Sequence, residues 1–260
     1  LCLGFSPDGS LLASAHVDGV VHLWDMAKGE EVPVRLRHDE AVGTLAFSPD
    51  GATLATGSLD ANLRLWDVGA ALAGEARREL VRQPSGVTAL AWVDGGERVV
   101  TGHASRILRV TDLPRGRCVA TMRGPEGLVT LLCLSPDGRT LVSANSGVGP
   151  FSVTLIENPW AAAPRVQQIP PGNQAAEGDA LKSVFMGLAI ARDNRTLYVA
   201  GGNDGNITVL DIRSGDVKQV VSCNVEVAGT KYEESFIGDM ALSPNGRTLY
   251  AVDQANFRLV

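Results

Sequence analysis

Residues 48–67 read SPDGATLATGSLDANLRLWD, and this stretch decides the fold. It opens with Ser48-Pro49-Asp50-Gly51, an order that suits a type I turn because Pro presets φ and Gly relaxes the exit. The run beginning at Thr53 is typical of a strand, and a polar turn around Asp60 separates it from a second run at Asn62–Trp66. A third apolar run, Ala41–Phe47, precedes the turn. The stretch therefore predicts consecutive short strands joined by tight turns.

The same pattern recurs along the chain. Ser-Pro-Asp-Gly or a weaker version of it occurs six times, with the third residue at Asp8, Asp50, Asp94, Asp137, Asp193 and Asn245. The successive spacings are 42, 44, 43, 56 and 52 residues. A fourth, less regular strand is expected near Glu31–Leu36, Arg117–Met122 and Val217–Val221. Self-similarity at a fixed period of this length is the mark of a repeat architecture.

Four short antiparallel strands per repeat predict an all-β protein, a β-propeller of four-stranded blades. We expect one β-propeller domain over residues 1–260 with about six blades. Their approximate bounds are 1–36, 37–82, 83–123, 124–170, 184–222 and 237–260. A helix is the alternative at Ala70–Arg82, where Ala, Leu, Glu and Arg dominate. Because Leu1 falls within a first strand and Val260 within a third, we expect an incomplete ring and a fragment of a longer protein.

Composition narrows the class of partner. With 23 basic and 29 acidic residues the net charge is −6, which argues against a broad nucleic-acid surface. No apolar run approaches the roughly 18 residues of a membrane span. The cysteines Cys2, Cys118, Cys133 and Cys223 lack the close pairing of a zinc or disulfide framework. We expect them to be small apolar residues on strands, compatible with a reducing compartment.

Trp24-Asp25 and Trp66-Asp67, each ending a third strand, resemble the dipeptide of WD40-repeat β-propellers. The resemblance implies that His38, Thr56, Asp60 and Trp66 form a hydrogen-bonded chain that staples the turn to blade 2. Ser14, Asp18 and Trp24 would be the corresponding residues of blade 1. Buried polar groups need such partners, so we interpret His38 and Asp60 as a structural pair and not a catalytic dyad.

The resemblance weakens further along the chain. Blade 3 has Gln83 in the place of the histidine and Thr111-Asp112 in the place of Trp-Asp. Blades 5 and 6, with Arg195–Ala200 and Gly246–Val252, look more like YVTN-type, lactonase-like bacterial propellers. Propellers host many unrelated functions, so the resemblance specifies the fold better than the function.

No catalytic motif stands out: there is no GxSxG elbow, HExxH, phosphate-binding loop or dinucleotide fingerprint. We expect no cofactor and no metal. His16 and His103 occupy the same repeat position, just past the second strand, and we expect both to be solvated residues at one rim of the central channel.

Two long connections, Glu157–Ser183 and Ser222–Ile237, exceed the repeat, and long loops on a rigid scaffold are common functional positions. Trp160 and Tyr232 are the aromatic anchors they offer, although Trp160 packing within its own loop is an alternative. We interpret both connections as links between the fourth strand of one blade and the first strand of the next. The candidate interaction surface comprises His16, His103, Trp160, Lys182, Asn203, Lys231 and Tyr232.

The sequence therefore favours a non-catalytic scaffold that binds a protein or peptide, with no nucleic acid and no membrane span. The alternative is a propeller that accompanies a larger bacterial hydrolase, phosphatase-like or lactonase-like, as an accessory module. A purely structural or surface-display propeller is a third possibility.

Overall fold

The computed structural model describes residues 2–76, 78–123, 127–146, 152–159, 161, 164–169, 187–201, 205–227, 229–232, 235–243, 245–256 and 258–260. The contacts divide the chain into two compact units, Leu1–Arg123 and Gly124–Val260. Each unit holds three blades, which are described unit by unit below.

Unit 1 contains blades 1 to 3. Blade 1 consists of β1 (Cys2–Phe5), β2 (Leu11–Ala15), β3 (Val20–Asp25), β4 (Glu30–Glu31) and β5 (Leu36–Arg37). Blade 2 consists of β6 (Val42–Phe47), β7 (Thr53–Ser58), β8 (Asn62–Asp67) and β9 (Arg78–Arg82), with helix α1 (Val68–Leu72) before β9. Blade 3 consists of β10 (Val87–Val93), a 3₁₀ turn (Asp94–Gly96), β11 (Arg98–His103), β12 (Ile107–Asp112) and β13 (Arg117–Arg123).

Unit 2 contains blades 4 to 6. Blade 4 consists of β14 (Leu128–Leu134), β15 (Thr140–Ser146), β16 (Ser152–Glu157) and β17 (Arg165–Ile169). Blade 5 consists of β18 (Leu188–Ile190), β19 (Thr196–Ala200), β20 (Asn206–Asp211) and β21 (Val217–Ser222). A hairpin of β22 (Glu226–Val227) and β23 (Thr230–Lys231) leads to blade 6, which has β24 (Ile237–Leu242), β25 (Leu249–Asp253) and β26 (Arg258–Leu259).

Within blades 2 to 6 every strand pairs antiparallel with its neighbour in sequence. In blade 1 the outer strand is split, because β4 and β5 both pair with β3. The first strands of consecutive blades lie side by side within each unit: β1, β6 and β10 in unit 1, and β14, β18 and β24 in unit 2. The predicted fold class, an all-β protein of β-propeller blades, is confirmed.

Two local predictions need correction. The helical alternative at Ala70–Arg82 holds only for its first residues, since α1 ends at Leu72 and β9 begins at Arg78. Asp67 caps α1 by accepting from the Ala70 N–H at 2.8 Å. The connection Glu157–Ser183 is not a single link between blades, because it contains β17, the fourth strand of blade 4.

The turn chemistry follows the sequence. In the first copy the Ser6 hydroxyl donates to Asp8 at 2.6 Å and accepts from the Leu11 N–H at 2.9 Å. The copies that begin at Ser48, Ser135 and Ser243 repeat the bond to the third residue. Gly51 has φ +73°, in the left-handed region that glycine adopts without a Cβ clash. These closed turns fix the register of the first two strands of each blade.

Apolar side chains of consecutive blades form the cores. In unit 1 the packed side chains include Leu23, Leu36 and Leu54, each at most 1% exposed. In unit 2 they include Leu155, Leu197 and Leu210, again at most 1% exposed. All four cysteines are free thiols; Cys223 is buried and follows β21, and the other three are half-buried on strands.

Candidate functional site

One face of unit 1 gathers the tight turns between second and third strands and the connections that lead into first strands. The Leu59 N–H donates to the carbonyl of Ala41 at 3.0 Å, and the Ala104 N–H donates to that of Gly86 at 3.0 Å. The His38 N–H donates to the Gly19 carbonyl at 2.8 Å, so the turn of blade 1 also holds the connection into blade 2. We name this surface the connection face; it comprises residues 16–19, 38–41, 59–61, 83–86 and 103–106.

The connection face rests on a buried hydrogen-bonded chain in blade 2. His38 Nε2 lies 2.7 Å from Thr56 Oγ1, and the same hydroxyl accepts from Trp66 Nε1 at 2.8 Å. His38 Nδ1 lies 3.2 Å from Asp60 Oδ2. A neutral imidazole with its proton on Nδ1 satisfies every contact, since it donates to Asp60 and accepts from the Thr56 hydroxyl.

Arg64 is a member of this cluster that the sequence did not reveal. Its guanidinium Nη1 donates to Asp60 Oδ2 at 2.5 Å, and the residue is only 4% exposed. The signal was present: Arg64 precedes Trp66 by two residues on β8, so both side chains point to the same face of the strand. A charged residue on that face requires a buried counter-charge, which Asp60 supplies.

The charges in the cluster are set by burial and hydrogen bonds. Burial alone would raise the pKa of Asp60, but hydrogen bonds from the Asp39 N–H and the Arg64 guanidinium outweigh it and lower that pKa to about 2. Burial, aided by the positive charge of Arg64, lowers the pKa of His38 to about 4. At neutral pH the cluster therefore holds an ionised Asp60, a charged Arg64 and a neutral His38. The side chains of His38 and Asp60 are 0% and 5% exposed.

Blade 1 has a related but smaller arrangement. Ser14 Oγ accepts from Trp24 Nε1 at 3.2 Å and lies 3.1 Å from His16 Nε2. The His16 ring meets the His22 ring edge-on, with centroids 4.9 Å apart. Asp18 is exposed and accepts from the Val20 N–H at 3.0 Å, and within the described ranges it does not reach Ser14 or a histidine. Asp18 therefore closes its own turn and does not bind the other residues of the predicted staple.

In blade 3 His103 is buried, so the expectation of a solvated rim residue is wrong for it. The residue is 0% exposed, with Nε2 2.9 Å from Thr101 Oγ1 and Nδ1 3.2 Å from the Ser85 carbonyl. Burial lowers its pKa to about 4. The imidazole bonds the Thr101 hydroxyl as that of His38 bonds Thr56, and the buried Gln83 makes a longer contact of 3.5 Å to the same hydroxyl. His16, in contrast, is half-buried and stays on the connection face.

The position of His103 has the same role in other blades. Ser58, His103 and Asp253 each pair with the first residue of their blade's first strand, and all three are 0% exposed. Asn145, also 0% exposed, pairs with the second residue of β14, and its amide donates to Thr154 of its own blade at 2.9 Å. Ser58 donates to the Glu40 carbonyl at 3.0 Å, and Asp253 accepts from the Phe236 N–H at 3.1 Å. We name this the latch position, because its side chain ties the connection into a blade to the end of the second strand. The sequence signal is a hydroxyl residue two positions before His or Asn, as in Ser14-x-His16, Thr101-x-His103 and Ser143-x-Asn145.

Above these buried groups the connection face presents apolar and acidic side chains. Val17 is 74% exposed and Leu59 is 47% exposed, both at the tips of tight turns. Asp18 is exposed next to Val17 in sequence, and Asp39 and Glu40 are exposed in the connection into blade 2. Large exposed apolar patches rimmed by polar residues mark interaction sites, whereas a single exposed apolar residue is ordinary on any protein surface.

In unit 2 the predicted anchor Tyr232 follows β23 and is half-buried. Its ring lies against the guanidinium of Arg258, with Cζ 3.9 Å from the centroid, and Arg258 also binds Asp253 at 2.8 Å. Tyr232 therefore packs its own connection onto blade 6, while Lys231 next to it is exposed. Trp160, Lys182 and Asn203 lie outside the described residues.

The described residues show neither a metal cluster nor a membrane-spanning helix. They hold no group of three or more His, Cys, Asp or Glu side chains placed to bind a metal ion. They also include no helix with the length and apolar character needed to cross a membrane.

The family model for the WD domain, G-beta repeat, matches residues 1–25, 30–67 and 116–147. The second match ends at Trp66-Asp67 and contains the entire His38–Thr56–Asp60–Trp66 chain. The first covers the three inner strands of blade 1. The chain therefore contains WD repeats. The YVTN-like character of blades 5 and 6 remains a prediction, as does a single domain over residues 1–260.

Proposed function

We propose that this chain is a non-catalytic protein-interaction module, and that the connection face of unit 1 binds an extended segment of a partner protein. WD repeats and propeller blades fit such a scaffold. The observation that carries the proposal is the pair of exposed apolar turn tips, Val17 and Leu59, on consecutive blades. Apolar side chains that a rigid backbone holds in the solvent can bind a partner without a large loss of conformational freedom.

The buried cluster supports this by fixing the backbone beneath the surface. Asp60 accepts from the Asp39 N–H at 3.0 Å and from the Asn62 N–H at 3.0 Å, so one carboxylate holds the connection and the tight turn together. The Ser58 latch adds a second tie to the same connection. The propeller would therefore lose little conformational entropy when a partner binds this face.

Charge indicates the chemistry of the partner. Asp18, Asp39 and Glu40 are exposed, against one exposed cation of the face, Arg106. Arg64 lies 3.4 Å from Asp39 but is itself buried against Asp60. The face is therefore acidic around its apolar tips. A segment with apolar side chains flanked by Lys or Arg would match it, and complementary charge would speed its association.

The experiment is selection of a random 12-residue peptide library against the whole chain, followed by affinity measurement of the enriched peptides. We expect enrichment of peptides that combine apolar with Lys or Arg residues. The double variants Val17→Ser/Leu59→Ser and Asp39→Asn/Glu40→Gln should each weaken binding about tenfold or more. The matched control is Val217→Ser/Val220→Ser on the exposed strand β21, which should leave the affinity unchanged. Enrichment without those features, or equal binding by all variants, contradicts the proposal.

The alternative, an accessory module of a bacterial hydrolase, is tested by assaying the chain against ester, lactone and phosphate substrates. Turnover that disappears when one polar residue of the connection face is replaced would favour an enzyme over an interaction module. Absence of turnover together with selected peptides would favour the module.

A further inference from the structure

Unit 2 has a polar cleft between blades 4 and 5, on the side of the Ser-Pro-Asp-Gly turns. Its volume is about 340 Å³, at the low end for small-molecule sites. Three arginines from three different elements line it: Arg139 in the first turn of blade 4, Arg165 at the start of β17, and Arg213 after β20. Asp137, Glu157 and Asn194 complete the polar lining.

Two of the three guanidinium groups make no ion pair within the part of the chain that the structure describes, although the charge of Arg139 helps to lower the pKa of Asp137. Arg165 lies 3.5 Å from Glu157. Arg139 and Arg213 are exposed, and among the described residues neither has a carboxylate within the 4.0 Å of an ion pair. An arginine fork offers planar paired donors whose geometry matches the oxygens of carboxylate and phosphate groups.

The two carboxylates in the lining are committed to local contacts. Asp137 Oδ1 accepts from the Ser135 hydroxyl at 2.6 Å and from the Arg139 N–H at 3.0 Å. The hydroxyl of Ser135 is the main cause that lowers the pKa of Asp137, so this acid stays ionised inside its own turn. Glu157 is the partner of Arg165.

A side chain of blade 5 ties the two sides of the cleft together. Asn194 Oδ1 accepts from the Asp137 N–H at 2.9 Å, which joins the turn of blade 5 to the turn of blade 4. Because the amide oxygen is used in this bond, the NH₂ group of Asn194 remains as a donor. The cleft therefore has a fixed width at this point.

Unit 1 has a cleft at the same place in the repeat, between blades 2 and 3, and its charge is opposite. It is larger, about 1040 Å³, and is lined by Asp50, Asp67, Glu79 and Glu97 against a single arginine, Arg78. The positions of Arg139 and Arg213 in the repeat are held there by Ala52 and Pro114. The two arginines that form no ion pair with a described residue are thus specific to the cleft of unit 2.

We propose that the cleft between blades 4 and 5 is an oxyanion-binding site that takes the phosphate or carboxylate group of a small molecule or acidic peptide. Arg139 and Arg213 supply the charge and the donors, and Arg165 and Asn194 add donors at the edge. This site is independent of the connection face, so either proposal can fail without the other.

The test is a titration of the isotope-labelled chain with inorganic phosphate and, separately, with acetate at constant ionic strength, followed through backbone amide signals. We expect saturable shifts at residues 137–140, 194 and 213, with at least about tenfold weaker binding in Arg139→Gln/Arg213→Gln. The control is Arg78→Gln in the acidic cleft, which removes an arginine from the related position and should not change the affinity.

The comparison of phosphate with acetate identifies the kind of anion that the cleft binds. Binding of both supports a general oxyanion site, and binding of phosphate alone supports a site for phosphorylated ligands. Shifts that do not saturate, that spread over the surface, or that persist in the double variant indicate an adventitious ion only and overturn the proposal. Both arginines are exposed, so an unchanged unfolding midpoint of the double variant verifies that its loss of binding is local.

Discussion

The imidazole of His38 and the hydroxyl of Thr56 meet at 2.7 Å between Nε2 and Oγ1, although the residues are 18 positions apart. Thr56 is 0% exposed and also accepts from Trp66 Nε1. A single hydroxyl therefore satisfies two buried nitrogens that no solvent reaches. This junction ties the connection into blade 2 to both central strands of the blade.

Replacement of Thr56 by Val keeps the shape of the side chain and removes both bonds. We expect a loss of about 2–4 kcal/mol in the free energy of unfolding, because two buried polar groups lose their partner. Urea unfolding measures it, and Thr121→Val on exposed β13 is the control, with an expected change within about 0.5 kcal/mol. Equal stability of the two variants would show that the junction contributes nothing.

Arg64 makes two ion pairs that should differ greatly in their contribution to the free energy of unfolding. Its bond to Asp60 is buried on both sides, whereas Asp39 is 85% exposed. We expect Arg64→Leu to destabilise the chain by about 3–5 kcal/mol, since it leaves Asp60 as an uncompensated buried charge. Asp39→Asn should cost less than about 1 kcal/mol. If Asp39→Asn proved as costly as Arg64→Leu, the buried pair would not be the dominant interaction.

Stability should fall as the pH drops from about 6.5 toward 4. Burial lowers the pKa of both His38 and His103 to about 4, against a value near 6.5 in the unfolded chain. Between these values the unfolded state binds more protons, so acid favours unfolding. Protonation of Asp60 lowers the stability only below about pH 4, because its pKa is about 2 in the folded state and 3.8 in the unfolded state.

The measurement is the urea midpoint at half-unit steps from pH 7.5 to 4.5. His38→Gln and His103→Gln should each flatten the curve, and the double variant should flatten it most. A midpoint in the natural chain that does not change across this window would refute the assignment of neutral buried histidines.

Gly19 and Gly29 both have a positive φ, +81° and +69°, but only Gly19 lies against a neighbour. A Cβ at Gly19 would fall 2.6 Å from the carbonyl oxygen of His38, and at Gly29 it would meet nothing within 4 Å. Gly29→Ala should cost about 1 kcal/mol for the backbone conformation alone. Gly19→Ala should cost about 2 kcal/mol more, since the turn must move away from the connection. Thermal unfolding of the two variants measures these losses of stability. Equal losses would show that the contact at Gly19 does not affect stability.

The strands were predictable because turn chemistry and apolar runs recur with one period. Ser48–Gly51 and its copies indicate the turns. The alternation of apolar and polar residues on either side predicts the strands. The polar cluster of blade 2 was also expected, since His38, Thr56, Asp60 and Trp66 stand at spacings that the WD40 resemblance assigns. Local signals of this kind can be read from the sequence without knowledge of the packing.

The role of His103 could not be inferred in the same way. Its burial follows from its place at the end of the second strand, where Ser58 and Asp253 are also 0% exposed, and a histidine beside a turn gives no sign of this in the sequence. Arg64 was missed because a charged residue on a strand is normally placed toward solvent. The clefts are formed by side chains of two adjacent blades that face each other. The spacing of residues within one repeat does not show which side chains these are.

The latch position has a consequence for how the chain folds. Ser58 and His103 each bond a carbonyl 18 residues back, and Asp253 bonds an amide 17 residues back. A loop this short loses little entropy when it closes, so each hairpin can secure its own leading segment before any neighbour has docked. We therefore expect the leading segment and the first two strands of a blade to form together as one local unit.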